Sequence, residues 1–407
     1  MNDVAIIGAG PIGLFLGALL SKRGRSVRIF EQSPSPSPGS NAIGVTPPSL
    51  ELLDKVGAAE PLIASGTPLR DVWVYGRRTR LLGRADFSTL DSKYNFILTV
   101  PQSTTETLLE RALQFYPSAA LLRGRRFDGL EQEPDGVRIR LLDAKDPDRP
   151  PAFEDFRYVA ACDGAKSQVR ASLGVAWNPR RSASTFVMAD FFDESGWGEA
   201  AKLFFTPDGA VESFPHAPGW RRWIVQTPGF MDNPGSYLEQ SVEARVGMVL
   251  DPLRKGWQSP FGVQRWIAPR YDFGRVFLAG DSAHQMSPIG GQGMNTGFAD
   301  AEFLAAVLHA RLENALTDAE FLACGRLYTK IRRRAAWSAA HRAEASMAAG
   351  TMRGNLSGAR DNLLSWVLQG PLKSRLAPHY AMLTIPGRTL GAMRKNSRLI
   401  RRLKEFL

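Results

Sequence analysis

Residues 4–31, VAIIGAGPIGLFLGALLSKRGRSVRIFE, restrict the fold of this chain more than any other stretch. They open on a continuous apolar run, the pattern of a strand buried on both faces. Gly8, Gly10 and Gly13 follow in GxGxxG spacing, with Pro11 and Ile12 between them. Then come a helical segment closed by glycine and SVRIFE, a second strand that ends on Glu31. Each glycine has its own steric reason. The first permits the tight turn, the second lets backbone approach a pyrophosphate, and the third lets helix and strand pack closely while the helix N-terminus faces the anion. A purely structural glycine turn would not need this surrounding strand, helix and acid. A carboxylate at position 31 suits two free ribose hydroxyls and repels a 2′-phosphate. The loop is therefore expected to bind FAD or NAD and to reject NADP, with Gly8, Gly10, Pro11, Ile12, Gly13 and Glu31 as cofactor-binding residues.

The 407 residues leave room for one large α/β unit with an inserted sheet, or for two or three smaller domains. The formal charge of +11 raises the question of nucleic acid or an anionic surface. The arginine pairs at 77–78, 180–181 and 221–222 are scattered, however, and no RNA-reading motif or aromatic-basic platform accompanies them. We read a solvated cationic surface, one that also attracts anionic dinucleotides, and no nucleic-acid partner. Cys162 and Cys324 read as buried, reduced thiols. With no basic-then-apolar leader and no apolar run long enough for a transmembrane segment, a cytoplasmic protein is expected. The five histidines, His216, His284, His309, His341 and His379, are not in ligand spacing, so no metal is expected.

Along the chain, SPSPSPGS is too rich in proline for helix or strand. Residues 104–115 read as an amphipathic helix, and RFDGLEQEPDGVRIRLL reads as a hairpin. Between 180 and 270, aromatic and β-branched runs separated by turns predict an antiparallel sheet. From Gly297 the chain is mainly helical, ending in a basic amphipathic piece over residues 388–407. Packing of Leu399, Ile400, Leu403 and Phe406 on the body is favoured there over a membrane-surface role.

Two further motifs follow strands. CDGAKSQVR places Asp163, Gly164, Ser167 and Arg170 in a DGxxSxxR pattern, and GRVFLAGDSAHQMSPIGGQGMN sets Asp281 after a second glycine. With the glycine loop, the three motifs in this order resemble the single-component (class A) FAD-dependent monooxygenases, the para-hydroxybenzoate hydroxylase-like family, over about residues 1–350. The resemblance implies an α/β fold: a Rossmann-like FAD-binding domain (1–180 and 270–350), an inserted antiparallel β-sheet substrate domain (181–269) and a C-terminal helical segment (351–407). It implies FAD as cofactor and NADPH or NADH as co-substrate. Asp281 would accept a hydrogen bond from a ribityl hydroxyl. Asp163 and Arg170 would lie near the pyrophosphate and the route for the nicotinamide. Gln102 would touch FAD near a helix start, and the backbone of Phe127 would meet the adenine.

Pro288 matches the family's proline beside the flavin, with its carbonyl near the substrate. Gly290, Gly291 and Gly293 let backbone amides approach a flat ring, and Gly293, Met294 and Asn295 are the candidate donors to its anionic edge. His284 reads as a packing residue. The segment Ser40-Asn41-Ala42 departs from the family, which has an arginine where Asn41 stands, and no halogenase WxWxIP motif is present. The expected activity is NAD(P)H-dependent hydroxylation or epoxidation of an apolar aromatic or polycyclic substrate by dioxygen, through an FAD C4a-hydroperoxide. The substrate is expected on a sheet face carrying some of Phe186, Phe191, Phe204, Phe214 and Trp223, residues that also suit a plain core. A reductase or dehydrogenase on the same scaffold, and a non-catalytic dinucleotide-binding module, are the alternatives. No oligomeric state follows from the sequence.

Overall fold

The computed structural model describes residues 1–36, 39, 42–146, 148–288, 290–352, 356–393 and 397–407. Asn41 lies outside the described residues. The apolar run at the start forms the strand Asn2–Ile7, flanked in parallel by Val27–Glu31 and Ala152–Ala161. Val4 stands opposite both Val27 and Tyr158. Val276–Leu278 adds in parallel to Ala152–Ala161, and Ala119–Arg123 to Val27–Glu31. The expected hairpin is present as Arg125–Gln132 paired with Val137–Asp143. Helices cover this sheet, as parallel strands buried on both faces require. The helix Pro11–Ser21 packs between Gln102–Gln114 and Gln292–Leu312, with Phe15 meeting Phe298 edge-to-face at 5.4 Å.

The second sheet is antiparallel at its centre: Lys255–Ile267, Arg180–Phe192, Trp220–Thr227, Gly209–Ala217 and Ala201–Thr206 follow in that spatial order. Two features depart from the expected division of the chain. Asp71–Tyr75 pairs in parallel with Ala201–Thr206, and Leu81–Asp86 pairs beyond it, so part of the segment assigned to the first domain completes the second sheet. Inside the region read as pure sheet, Tyr237–Val246 is helical; Leu238 and Val242 are fully buried beneath the sheet.

The C-terminal segment does not stand apart. Asp318–Thr351 runs alongside both sheets, Ser357–Gln369 packs on Leu81–Asp86, and Arg398–Lys404 packs on Gln292–Leu312. Leu403 is fully buried and Leu399, Ile400 and Phe406 pack against the same core. Among the described residues, no helix is long and apolar enough to cross a membrane.

Candidate functional site

Two uncapped helix starts and one acidic turn converge at the carboxyl ends of the parallel strands. Gly8 has φ +103°, and a Cβ there would lie 2.4 Å from the Cys162 carbonyl oxygen. A Cβ on Gly13 would lie 2.0 Å from the carbonyl oxygen of Gly8. Both positions exclude any side chain. Gly10 is different, because a Cβ there would meet nothing within 4 Å. Its bareness serves no contact inside the chain. It opens space before the helix Pro11–Ser21, whose N-terminus no side chain caps. Glu31 accepts one amide on each oxygen, from Ala9 and Ser33, both at 2.9 Å, which fixes the carboxylate beside the loop with lone pairs to spare.

Ile12 joins this loop to the second motif. Cβ atoms on Gly280 and Gly297 would press to 3.0 and 2.7 Å from its side chain, so only glycines let the three segments close around it. Asp281 follows Gly280 in a short 3-10 turn, with no hydrogen bond to its carboxylate among the described residues. It is accessible at the surface yet set among protein atoms, and that desolvation raises its carboxyl above the ordinary range, with His284 opposing and Asp300 adding.

Behind the turn lies a sealed ion network. Asp300 accepts from Gly280 N (3.0 Å), His284 Nε2 (2.6 Å) and Arg332 Nε (2.6 Å). Burial alone would raise the Asp300 carboxyl; His284 and Arg332 outweigh it and hold it low. Arg332 also donates to the carbonyls of Thr296 (3.0 Å) and Gly387. His284 is wholly buried and supports the turn through Asp300. Asp300 and Arg332 escaped sequence reasoning. Their one signal is an ionic group amid apolar helix, as in GFADAEFL.

The second helix start is Gln292–Leu312, capped by Gly291 at φ +63° after Gly290 at φ +81°. No side chain caps it, and the amides of Gln292, Gly293 and Met294 have no acceptor within the helix. Asn295 does something else. Its Nδ2 donates to the carbonyls of Gly44 (2.8 Å) and Gly291 (2.5 Å), and its Oδ1 accepts from the amide (2.9 Å) and hydroxyl (3.1 Å) of Thr46. It ties the loop at 44–46 to the helix. Its side chain is therefore committed within the chain, and Gln292 joins Gly293 and Met294 as an amide of the uncapped helix start. Pro288 is exposed, and its carbonyl accepts the Gly291 amide at 2.9 Å, closing the turn.

The remaining candidates divide. Asp163 Oδ2 accepts from the amides of Gln168 (2.8 Å) and Val169 (3.1 Å), while Oδ1 is buried with no partner among the described residues. Burial pushes this carboxyl up. Arg170 is not on an open route. It is buried over Trp177 (4.2 Å) and Trp266 (4.9 Å) and donates to the carbonyls of Ala165 (2.7 Å) and Ser282 (3.2 Å), bracing one motif against the other. Gln102 opens the helix Gln102–Gln114; its amide donates to Ala42 (3.1 Å) and its Nε2 to Glu106 (2.8 Å). The ring of Phe127 is in the core, which leaves its backbone alone for a ligand.

These features fit a flavin dinucleotide. The open space at Gly10 and the uncapped helix start suit a pyrophosphate, Glu31 a ribose, and Asp281 a polyhydroxylated chain. The bare glycines before Gln292 suit a flat ring with an anionic edge. Of the aromatic residues expected to meet substrate, Phe191, Phe204 and Trp223 point away from the cofactor domain, into a core closed by Tyr237–Val246. Phe186 and Phe214 lie on the opposite face, by strand alternation. Among the described residues no cluster could hold a metal ion.

Residues 1–343 match the family described as FAD binding domain. A 12-dehydrotetracycline 5-monooxygenase/anhydrotetracycline 6-monooxygenase of Streptomyces rimosus is 35% identical over 333 residues, 76% of this chain and 63% of that protein. The chain thus spans less than two thirds of that relative's length. A para-nitrophenol 4-monooxygenase of a Pseudomonas species is 28% identical, over 77% of this chain and 79% of the relative. In fold, the p-nitrophenol 4-monooxygenase PnpA of Pseudomonas putida superposes with a TM-score of 0.82 at 23% identity, covering 94% of this chain and 98% of that one. The OxyS anhydrotetracycline hydroxylase of Streptomyces rimosus gives 0.76 at 29% identity, covering 94% and 76%. With its glycine loop, its Asp281 turn and its late helix start in the family's order, the chain belongs to the FAD-binding-domain family of class A, para-hydroxybenzoate hydroxylase-like flavoproteins.

Proposed function

We propose that this protein is an NAD(P)H-dependent monooxygenase that hydroxylates an aromatic substrate. The observation that carries the reading is the uncapped start of Gln292–Leu312, held by Gly290, Gly291 and Asn295 beside the Asp281 turn. A helix start built this way presents three amides to an anionic ring edge with no side chain intervening. When bound, FAD supplies the chemistry: it takes reducing equivalents from NAD(P)H and activates dioxygen.

The protein's own residues do the rest. Gly10 and the helix behind it receive the pyrophosphate, and Glu31 receives the ribose. Asp281 accepts from the ribityl chain, in a position fixed by Asp300 through the Gly280 amide. Gln292, Gly293 and Met294 donate to the ring edge, where one preorganised donor is worth about 3 kcal/mol. Pro288 places its carbonyl at the edge of the same turn. The face of the second sheet that carries Met188, Phe214 and Ile224 receives the aromatic body and keeps water away. The two unpaired thiols, Cys162 and Cys324, support a cytoplasmic location.

One experiment tests this reading. The purified protein is expected to carry the yellow flavin spectrum and to consume oxygen in step with NADH or NADPH oxidation when given a panel of phenols. A colourless protein that takes up no FAD overturns the reading. Nicotinamide oxidation without oxygen consumption would replace it with a reductase.

A further inference from the structure

The inner strands of the second sheet bury side chains on both faces, Phe186, Ile224, Phe261 and Val263 packing with Met347 on one of them. Val211, Phe204, Trp223 and Val225 point toward the helix Tyr237–Val246 and close a core with Leu238 and Val242. Glu212 sits between Val211 and Ser213 and so points the other way, in register with Leu203 on one side and Ile224 on the other. Its strand packs across Thr67–Leu69 and Ile97–Thr99, the latter running directly into Val100, Pro101 and Gln102 at the cofactor side.

Glu212 is only 7% exposed. Among the described residues its carboxyl has no hydrogen bond and no ion pair. Burial is the sole influence on it and pushes it up to about 7. The charged groups sharing this face are committed to one another: Asp190 takes Arg222 at 2.7 and 2.8 Å and His216 at 3.0 Å. A buried acid without a partner works against folding, and a leucine of similar size would suit these apolar neighbours better. The helix Asp318–Thr351 also lies against the strand of Glu212, and its Met347 packs with Phe186 and Ile224 on the same face, so among the described residues no group is left to pair with Glu212 and its partner comes from outside.

We propose that Glu212 accepts the hydroxyl of a phenolic substrate, and thereby fixes which end of the aromatic molecule lies against the sheet. This role rests on the monooxygenase reading for its substrate class. The O–H of the phenol donates to a Glu212 carboxylate oxygen, while Met188, Phe214 and Ile224 offer the ring only apolar contact. The near-neutral carboxyl can ionise to accept such a donor without carrying a permanent buried charge.

The test uses FAD-loaded wild-type, E212L and E212Q proteins and two matched probe pairs: 1-naphthol with 1-methoxynaphthalene, and 4-nitrophenol with 4-nitroanisole. Binding is read from the perturbed flavin spectrum. Wild type is expected to prefer the hydroxyl member of at least one pair by about ten- to a hundredfold. E212L is expected to bring that ratio to within about twofold of unity, E212Q to retain part of it, and E212L to melt no lower than wild type. Equal affinities in wild type, undetectable binding of both members of both pairs included, overturn the proposal. So does a ratio that survives in E212L, or a marked loss of stability in E212L, which would mean that the carboxyl serves the fold. Oxygen uptake separates the two readings. A hydroxyl preference without oxygen consumption removes the monooxygenase activity and leaves Glu212 its role; oxygen consumption without a preference does the reverse.

Discussion

Replacing Asp281 with alanine removes a carboxylate that the chain itself does not use. A hydrogen bond to a charged group is worth about 1.5–3 kcal/mol, so FAD should bind roughly ten- to a hundredfold more weakly. Titrating the apoprotein with FAD and following flavin absorbance measures this, and unchanged affinity counts against the ribityl contact. Asp300 behaves differently because its partners are internal. Its carboxyl is held below the ordinary range by His284 and Arg332, so the network stabilises the fold at neutral pH. That contribution is complete above the unfolded carboxylate value of about 4 and is lost as pH falls through the lower folded value. Asp300→Asn leaves Arg332 buried without its counter-charge and should cost about 3–5 kcal/mol at pH 7. Denaturant unfolding of both proteins at pH 7 and pH 3 would show the difference shrinking toward acid; a pH-independent difference would exclude the linkage.

Among the elements, the first helix separates two uses of glycine. Gly13→Ala puts a methyl 2.0 Å from a backbone oxygen, so the helix must lift from its strand. Stability should fall by about 3 kcal/mol or more. Gly10→Ala meets no protein atom and keeps an ordinary extended backbone, at φ −72°. Its stability should stay within about 0.5 kcal/mol of wild type while FAD affinity drops by at least about tenfold. Paired thermal melts and FAD titrations distinguish the two; a Gly10→Ala protein with full affinity would mean that nothing approaches there. This loop was legible in the sequence because each glycine answers to neighbours a few residues away. The other helix start was legible only as bare backbone. GGQGMN announces bare backbone, but nothing in it says that Asn295 is committed to Gly44 and Thr46, roughly 250 positions earlier. Glu212 left no mark at all. In AVESFP an acid alternating with apolar residues reads as the solvent side of a strand, and only elements far along the chain that pack on this strand, Ile97–Thr99 and Asp318–Thr351 among them, make it a buried one.

On the scale of the whole molecule, the α/β class and the antiparallel insert were readable from periodicity, and their boundaries were not. Asp71–Tyr75 and Leu81–Asp86 look like any short strands; which sheet they join is decided by an edge offered by Ala201–Thr206, far along the chain. The tail was readable as amphipathic, and the fully buried Leu403 shows which way it faces. Leu403→Ala should therefore destabilise the protein by about 2–5 kcal/mol in chemical denaturation. A neutral effect would return the tail to the surface.

The convergence of Gly8–Gly13 with the Asp281 turn around Ile12 also sets a schedule for biosynthesis. The two halves of the cradle are separated by about 270 residues of chain. At roughly 5–20 residues per second, a ribosome delivers the second half on the order of 15 seconds to a minute after the first. For the last part of that interval, the roughly 115 residues between Ala161 and Val276, the strand Ala152–Ala161 waits with one edge bare, because Val276–Leu278 has not been made. The nascent protein cannot grip its cofactor early, and that open edge is where a chaperone has most to protect.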